Sequence, residues 1–374
     1  MVDADQAGDA ASRRRFLAVA AAVLSAGCSV NNGDGGESTP STTAPTTAPP
    51  VGGSAELHIE GNETAWERTD RTATEDRGGE STTRGAERAL SAAKRDLRAA
   101  VDAYTSPRGV GSVVDVTAAT TGFDPEPVDE HVAAARDHLD AAAGAPDADG
   151  DAIDACRRFA TVLEDLVACQ VAVRAAYDHL QVARTHLYAE EFGAAFSALA
   201  AVESSARDAA DRRDALESET DPDDAEAIGA ISTDAYALKV DQFGAEIEGF
   251  RTVRELYGDE RDALRTLANG VDSYVTGNYD GAQIDVFDAQ SAFEDLHNRL
   301  GDVDVAPSLA TAVRGLTDAT AALESGAAKL LESCRHGRNG EDRAREQSLV
   351  EARNEFNGDG RVADLPSARQ LADA

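Results

Sequence analysis

The stretch DAIDACRRFATVLEDLVACQVAVRAAYDHLQVARTHLYAE, residues 151–190, is free of proline, and its larger side chains recur in steps of four and three. Phe159, Leu163, Leu166, Gln170, Val173, Tyr177, Leu180, Arg184 and Leu187 fall on one face of an α-helix. Spacing that averages 3.5 is the seam of a helical bundle, in which each helix buries one stripe against its neighbours. At 1.5 Å per residue this single helix is roughly 60 Å long.

The pattern continues outward from that stretch. Tyr236, Val240, Phe243, Ile247, Phe250, Arg254 and Tyr257 repeat the spacing, and so do Leu309, Val313, Leu316, Thr320, Leu323, Ala327, Leu330 and Cys334. Prolines at 107, 125, 127, 146, 222 and 307 punctuate the helical segments. Residues 108–124, RGVGSVVDVTAATTGFD, lack helical period and are β-branched, which predicts an extended connection over the bundle. The expected fold is all-α: an elongated antiparallel helical bundle of long helices over residues 86–336, followed by a polar C-terminal tail with a short helix over 337–374.

Two turns between the expected helices look alike. YAEEFGAA at 188–195 and VTGNYDGA at 275–282 both place an aromatic residue, Phe192 or Tyr279, three positions before Ala195 or Ala282. Their separation of 87 residues suggests a duplicated helical hairpin. Gly277, Tyr279 and Ala282 resemble the turn of a tetratricopeptide repeat, but the 34-residue period and closing proline of that family are not found, so the resemblance covers one turn.

Composition sets the solvent and excludes classes of partner. Acidic residues number 69 against 35 basic ones, a net charge of −34, and only Lys94, Lys239 and Lys329 are lysine. Repulsion excludes nucleic acid and anionic membrane surfaces as general partners. With 42 % hydrophobic residues at helical spacing, the chain reads as a folded core under a carboxylate shell. Such a shell, poor in lysine, resembles proteins of extremely halophilic archaea. At molar salt the Debye length falls to about 3 Å, which screens the self-repulsion of that shell.

The first residues read as an address. SRRRFLAVAAAVLSAGCSV at 12–30 carries arginines, an apolar run and small residues before Cys28. That order is a signal peptide, and the apolar run falls short of the about 20 residues that a permanent span needs. Arg13 and Arg14 ahead of Phe16-Leu17 resemble the twin-arginine export signal, which carries folded proteins across the membrane. Leu24-Ser25-Ala26-Gly27-Cys28 resembles a lipobox, with Ser25 where that pattern has leucine; the resemblance implies cleavage after residue 27 and lipid on Cys28. Residues 28–85 then read as a lipidated cysteine and a flexible Thr/Pro/Gly-rich linker, with a reach of roughly 40 Å. Asn62-Glu63-Thr64 is a glycosylation sequon on that linker.

Candidate chemistry is sparse. His131 and His138, and likewise His179 and His186, are seven residues apart, about 10.5 Å along a helix and too far for one metal ion. Glu294-Asp295-Leu296-His297 is a single Glu-x-x-His, whereas di-iron bundles need two. In the closing stretch EFNGDGRVADLP, Glu355, Asn357 and Asp359 resemble the first ligands of an EF-hand or dockerin calcium loop, but Pro366 stands where the twelfth-position acid should be. Cys156 and Cys169 lie about 20 Å apart on one helix and cannot pair, so a disulfide would join Cys334 to one of them. The favoured reading is three small buried thiols on the bundle seams, since one thiol must stay unpaired in either case. No catalytic motif and no cofactor fingerprint is found.

The sequence therefore points to an exported, lipid-anchored cell-surface protein on the extracytoplasmic face of the membrane. It is held there by lipid on Cys28 and acts as a binding or assembly module for a protein or envelope component. The alternative is a ligand- or metal-capturing lipoprotein of an uptake system, with an extracytoplasmic hydrolase behind it.

Overall fold

The computed structural model describes residues 77–109 and 111–374. The signal with Arg13 and Arg14, Cys28, the linker and Asn62 lie outside the described residues. Among those described there are eleven α-helices and no strand. They are α1 (Arg77–Thr105), α2 (Glu126–Ala143), α3 (Gly150–Tyr188), α4 (Phe192–Glu219), α5 (Pro222–Glu226), α6 (Thr233–Val275), α7 (Tyr279–Gly301), α8 (Ala310–Asn339), α9 (Asp342–Phe356), α10 (Gly360–Ala363) and α11 (Pro366–Asp373).

The fold class is the expected all-α helical bundle. Three hairpins, α3/α4, α6/α7 and α8/α9, supply most of the packing, and α4 against α6 and α7 against α8 join them into one series. Side-chain caps begin the long helices: Asp149 accepts from the Ala152 N–H at 3.1 Å, Ser232 from Ala235 at 3.2 Å and Asn278 from Gly281 at 3.2 Å.

The three hairpins turn in the same way. Glu190, Gly277 and Gly340 all adopt positive φ, and the next N–H donates to the carbonyl five residues back: Glu191 to His186, Asn278 to Ser273 and Glu341 to His336, each at 2.9 Å. This is the Schellman closure of a helix end, for which glycine is the unstrained residue. The two turns paired in the sequence are thus joined by a third, where Asp342 replaces the aromatic residue and so hides the likeness. In the first turn the left-handed position is held by Glu190, a residue that adopts it only at a cost.

The helices are buried more widely than one stripe. On α3 the seam residues Phe159, Leu163, Leu166, Gln170, Val173, Leu180 and Leu187 are buried, while Tyr177 and Arg184 are half-buried. Ala160, Cys169, Ala172, Ala176 and Ala183 are buried beside them, because α2, α4 and α6 all pack on this helix. Alanine permits that close approach from several directions.

Two expectations are corrected. Residues 337–374 belong to the same compact unit as the preceding helices: Leu349, Ala352, Phe356, Val362, Leu365 and Leu371 are buried in the one core. α10 and α11 are too short to display a period, and α9 sets Leu349, Ala352 and Phe356 among mostly polar residues, which is why they read as a polar tail. Residues 111–124 form a 3-10 turn, Val113–Asp115, with further turns and bends instead of an extended run, and they bury Val113, Val116, Ala118 and Thr120 against the helices.

Gly326 on α8 faces the ring of Phe356, where an added Cβ would lie within 2.3 Å of ring carbons. Gly326→Ala is expected to cost about 1–3 kcal/mol by overpacking. Urea unfolding checks this, and an unchanged midpoint would mean that α9 is not part of the cooperative core.

Candidate functional site

Burying an irregular segment leaves backbone groups that no helix ladder satisfies. In residues 108–124 they are met by side chains from two helices, α3 and α6. Lys239 of α6 is fully buried, and its ammonium donates to Val116 O, to Gln170 Oε1 at 2.8 Å and to Gln242 Oε1 at 3.1 Å. Three donors thus meet three acceptors, with the Phe243 ring 4.3 Å away on another side. Gln170 also donates to Thr117 O at 3.0 Å and accepts from the Tyr104 hydroxyl at 3.2 Å. Arg174 donates to Thr120 O at 2.8 Å.

Glu246 lies one turn beyond Gln242 and accepts from the Ala118 N–H at 2.9 Å through Oε1. Its Oε2 and the Ser308 hydroxyl make no hydrogen bond of ordinary geometry. Burial pushes the Glu246 carboxyl up against the opposing pull of Lys239, and burial brings the Lys239 ammonium down to about 8. The arrangement is a closed polar knot that ties the 108–124 segment to α3 and α6.

A second polar cluster lies further along α6. Glu260 is fully buried and accepts from the Tyr188 hydroxyl at 2.9 Å through Oε1. Its Oε2 has no partner, and neither has the buried Tyr257 hydroxyl. Burial pushes Glu260 up to about 8, and burial also raises Tyr257 and Tyr188, with the Glu260 charge adding to both. Arg361 brings a guanidinium to this cluster, 5.9 Å over the Tyr188 ring.

The outer surface of α6 floors two open grooves that share Asp259, Asp262 and Arg299, one of about 430 Å³ toward α4 and one of about 340 Å³ toward α7. Some of their charges are met within the chain: Arg299 pairs with Asp259, and Arg261 pairs with Asp262 at 2.8 Å while covering the exposed Phe196 ring at 4.9 Å. Phe196, Ile284 and Phe287 stay more than half exposed, at 58 %, 63 % and 55 %.

The residues singled out in the sequence are not brought together. Cys156, Cys169 and Cys334 are buried free thiols, as the favoured of the two readings expects, and Cys334 bridges to neither of the others. Burial drives Cys169 and Cys334 up to about 12. The calcium-loop reading of Glu355, Asn357 and Asp359 also fails in the geometry: the Asp359 carboxylate caps α10 and pairs with Arg361. Among the described residues no group of three or more His, Cys, Asp or Glu is placed to hold a metal ion. His297 meets Glu324 of α8 at 2.9 Å, while His186 and His336 clasp Glu191 and Glu341 at 2.5 Å across their turns.

Sequence reasoning passed over Lys239, Gln242, Glu246 and Glu260. A signal existed in part, since Lys239 and Gln242 flank the seam residue Val240, but α6 gives no hint of being packed on several sides. Compared with family models, curated proteins and solved structures, the chain matches none.

Between about pH 4.5 and about 8 the folded chain keeps a proton on Glu260 that the unfolded chain releases, so this group's contribution to stability falls as pH rises through that window. Glu260→Gln is expected to raise stability at pH 8 by on the order of 3 kcal/mol and to change it little at pH 4.5. Urea titrations at both pH values decide the matter; the same difference at each would mean that Glu260 does not titrate as described. Lys239→Met strands three acceptors in the core and is expected to cost about 3 kcal/mol, with faster hydrogen exchange over 112–120 as the local readout.

Proposed function

We propose that this chain is an exported, lipid-anchored helical protein of the extracytoplasmic cell surface that acts as a binding or assembly module. The observation that carries the reading is the order of its first residues: Arg13 and Arg14, a short apolar run, then small residues before Cys28. A linker and a helical domain follow. The domain's features agree with binding: its surface offers grooves with charged rims along α6, and Phe196, Ile284 and Phe287 are held exposed on α4 and α7. The buried polar clusters are filled by the chain's own side chains and serve to hold segments in place. That favours assembly over capture of a small ligand or metal.

The net charge of −34 with three lysines fits a surface that works in concentrated salt. Screening at molar salt removes the self-repulsion, so thermal stability is expected to rise steeply between dilute buffer and molar potassium chloride. A melting temperature insensitive to salt would remove the halophilic part of the reading.

Anchoring is tested by Cys28→Ser. The variant is expected in the medium, with the parent chain in the membrane fraction. The intact mass of the parent chain is the deciding readout, and a mature chain whose Cys28 carries no added mass would rule out lipid on this cysteine. Function is tested by cross-linking in native membranes at molar salt, followed by purification and mass spectrometry. A stoichiometric protein partner is the expected result, whereas a lone chain with a bound metabolite or metal would replace assembly with capture.

A further inference from the structure

The segment from Asp359 to Ala374 lies along α6 and bridges the hairpins. Arg361 sits over Tyr188 at the end of α3 and beside Gly315 of α8, where its guanidinium fills the space that a Cβ would need. Ser367 donates its N–H to Glu190 at 3.0 Å and its hydroxyl to the same oxygen. Gln370 reaches Asp272 of α6 at 2.9 Å, and Arg353 of α9 donates to Leu371 O at 2.8 Å. From Glu260 to Asp272 the segment follows roughly 18 Å of α6.

Two observations bear on this contact. The neighbourhood of Arg361 is unsatisfied: Glu260 Oε2 and the Tyr257 hydroxyl are buried without a partner. A buried polar group left unpaired is costly, so a partner that brought donors to these atoms would supply what the chain's own segment does not. Glu190, moreover, holds the left-handed position that is glycine in both related turns, and its carboxylate is the anchor for Ser367. The chain thus accepts backbone strain at the turn where its own segment docks.

We propose that α10 and α11 are a detachable plug in a recognition groove formed by α6 with the end of α3 and the start of α8. The partner that fits this groove is a short helical segment of another protein, carrying an arginine for the Tyr188, Tyr257 and Glu260 pocket and aliphatic residues at the positions of Val362, Leu365 and Leu371. The charges agree in part: the docking groups Glu190 and Asp272 are carboxylates that the plug meets with backbone, hydroxyl and amide donors, while Glu260 is a buried carboxyl near which Arg361 places its guanidinium. The proposal rests on the binding-module reading and names its surface.

The experiment uses the full chain at molar salt. Hydrogen exchange is expected to be at least tenfold faster over 360–373 than over α6, and Glu190→Gly is expected to accelerate the segment further without changing α6. The double variant Leu365→Asp, Leu371→Asp is then titrated with a labelled peptide of residues 359–374. It is expected to keep its helical circular dichroism and to bind the peptide saturably. The same peptide with Arg361→Ala is expected to bind at least tenfold more weakly. Exchange of the segment in step with α6, loss of the helical signal in the double variant, or a folded variant that ignores the peptide would each overturn the plug. A partner recovered by cross-linking in the face of those results would remove only the groove and leave the binding module standing.

Discussion

A forty-three-residue helix packed on several sides must find partners for the polar side chains it buries, and α6 buries Lys239, Gln242, Glu246 and Glu260. The rest of the fold is arranged around that demand. Lys239 and Glu246 are answered by the Val116 carbonyl and the Ala118 amide of the 108–124 segment, which in turn had no ladder to satisfy it, and Gln242 accepts from Lys239. Each half of this exchange would be expensive alone, and together they leave only Glu246 Oε2 and the Ser308 hydroxyl unpaired. Glu260 is likewise answered only in part, by Tyr188 and the neighbourhood of Arg361.

The choice of lysine at 239 follows from the same accounting. The chain uses arginine almost everywhere it wants a cation, yet a planar guanidinium with five donors cannot be matched by three converging acceptors. An ammonium can. Its burial beside Phe243 lowers its affinity for the proton, while Glu246 works in the other direction, and the pair holds the segment at the cost of desolvation. At the surface the opposite economy rules, with acids in excess and several arginines, such as Arg174 with Asp178 and Arg207 with Glu203, in short helical ion pairs that contribute little individually.

The turns show how alike backbones hide in unlike sequences. Glycine at 277 and 340 marks the left-handed closure openly, whereas Glu190 occupies it against preference because its carboxylate has a second task at Ser367. Two of the three turns also carry a histidine and a glutamate that clasp across the closure, which the sequence shows only as His186 with Glu191 and His336 with Glu341. Aromatic spacing at Phe192 and Tyr279 made the first two turns legible, and Asp342 concealed the third.

By itself the sequence determined the helical class, the course of α3, α6 and α8, and most of the buried seam, because an amphipathic helix writes its period into every turn and that signal is local. It also fixed the acidity of the surface, since charge needs no fold to be counted. Only the tertiary structure decided which polar residues go inside and that residues 337–374 join the core. Those outcomes depend on contacts such as Lys239 with Val116, Ser367 with Glu190 and Phe356 with Gly326, each between residues far apart in the chain. The free energy of such a contact belongs to the pair, and no pattern within either partner's own segment records it.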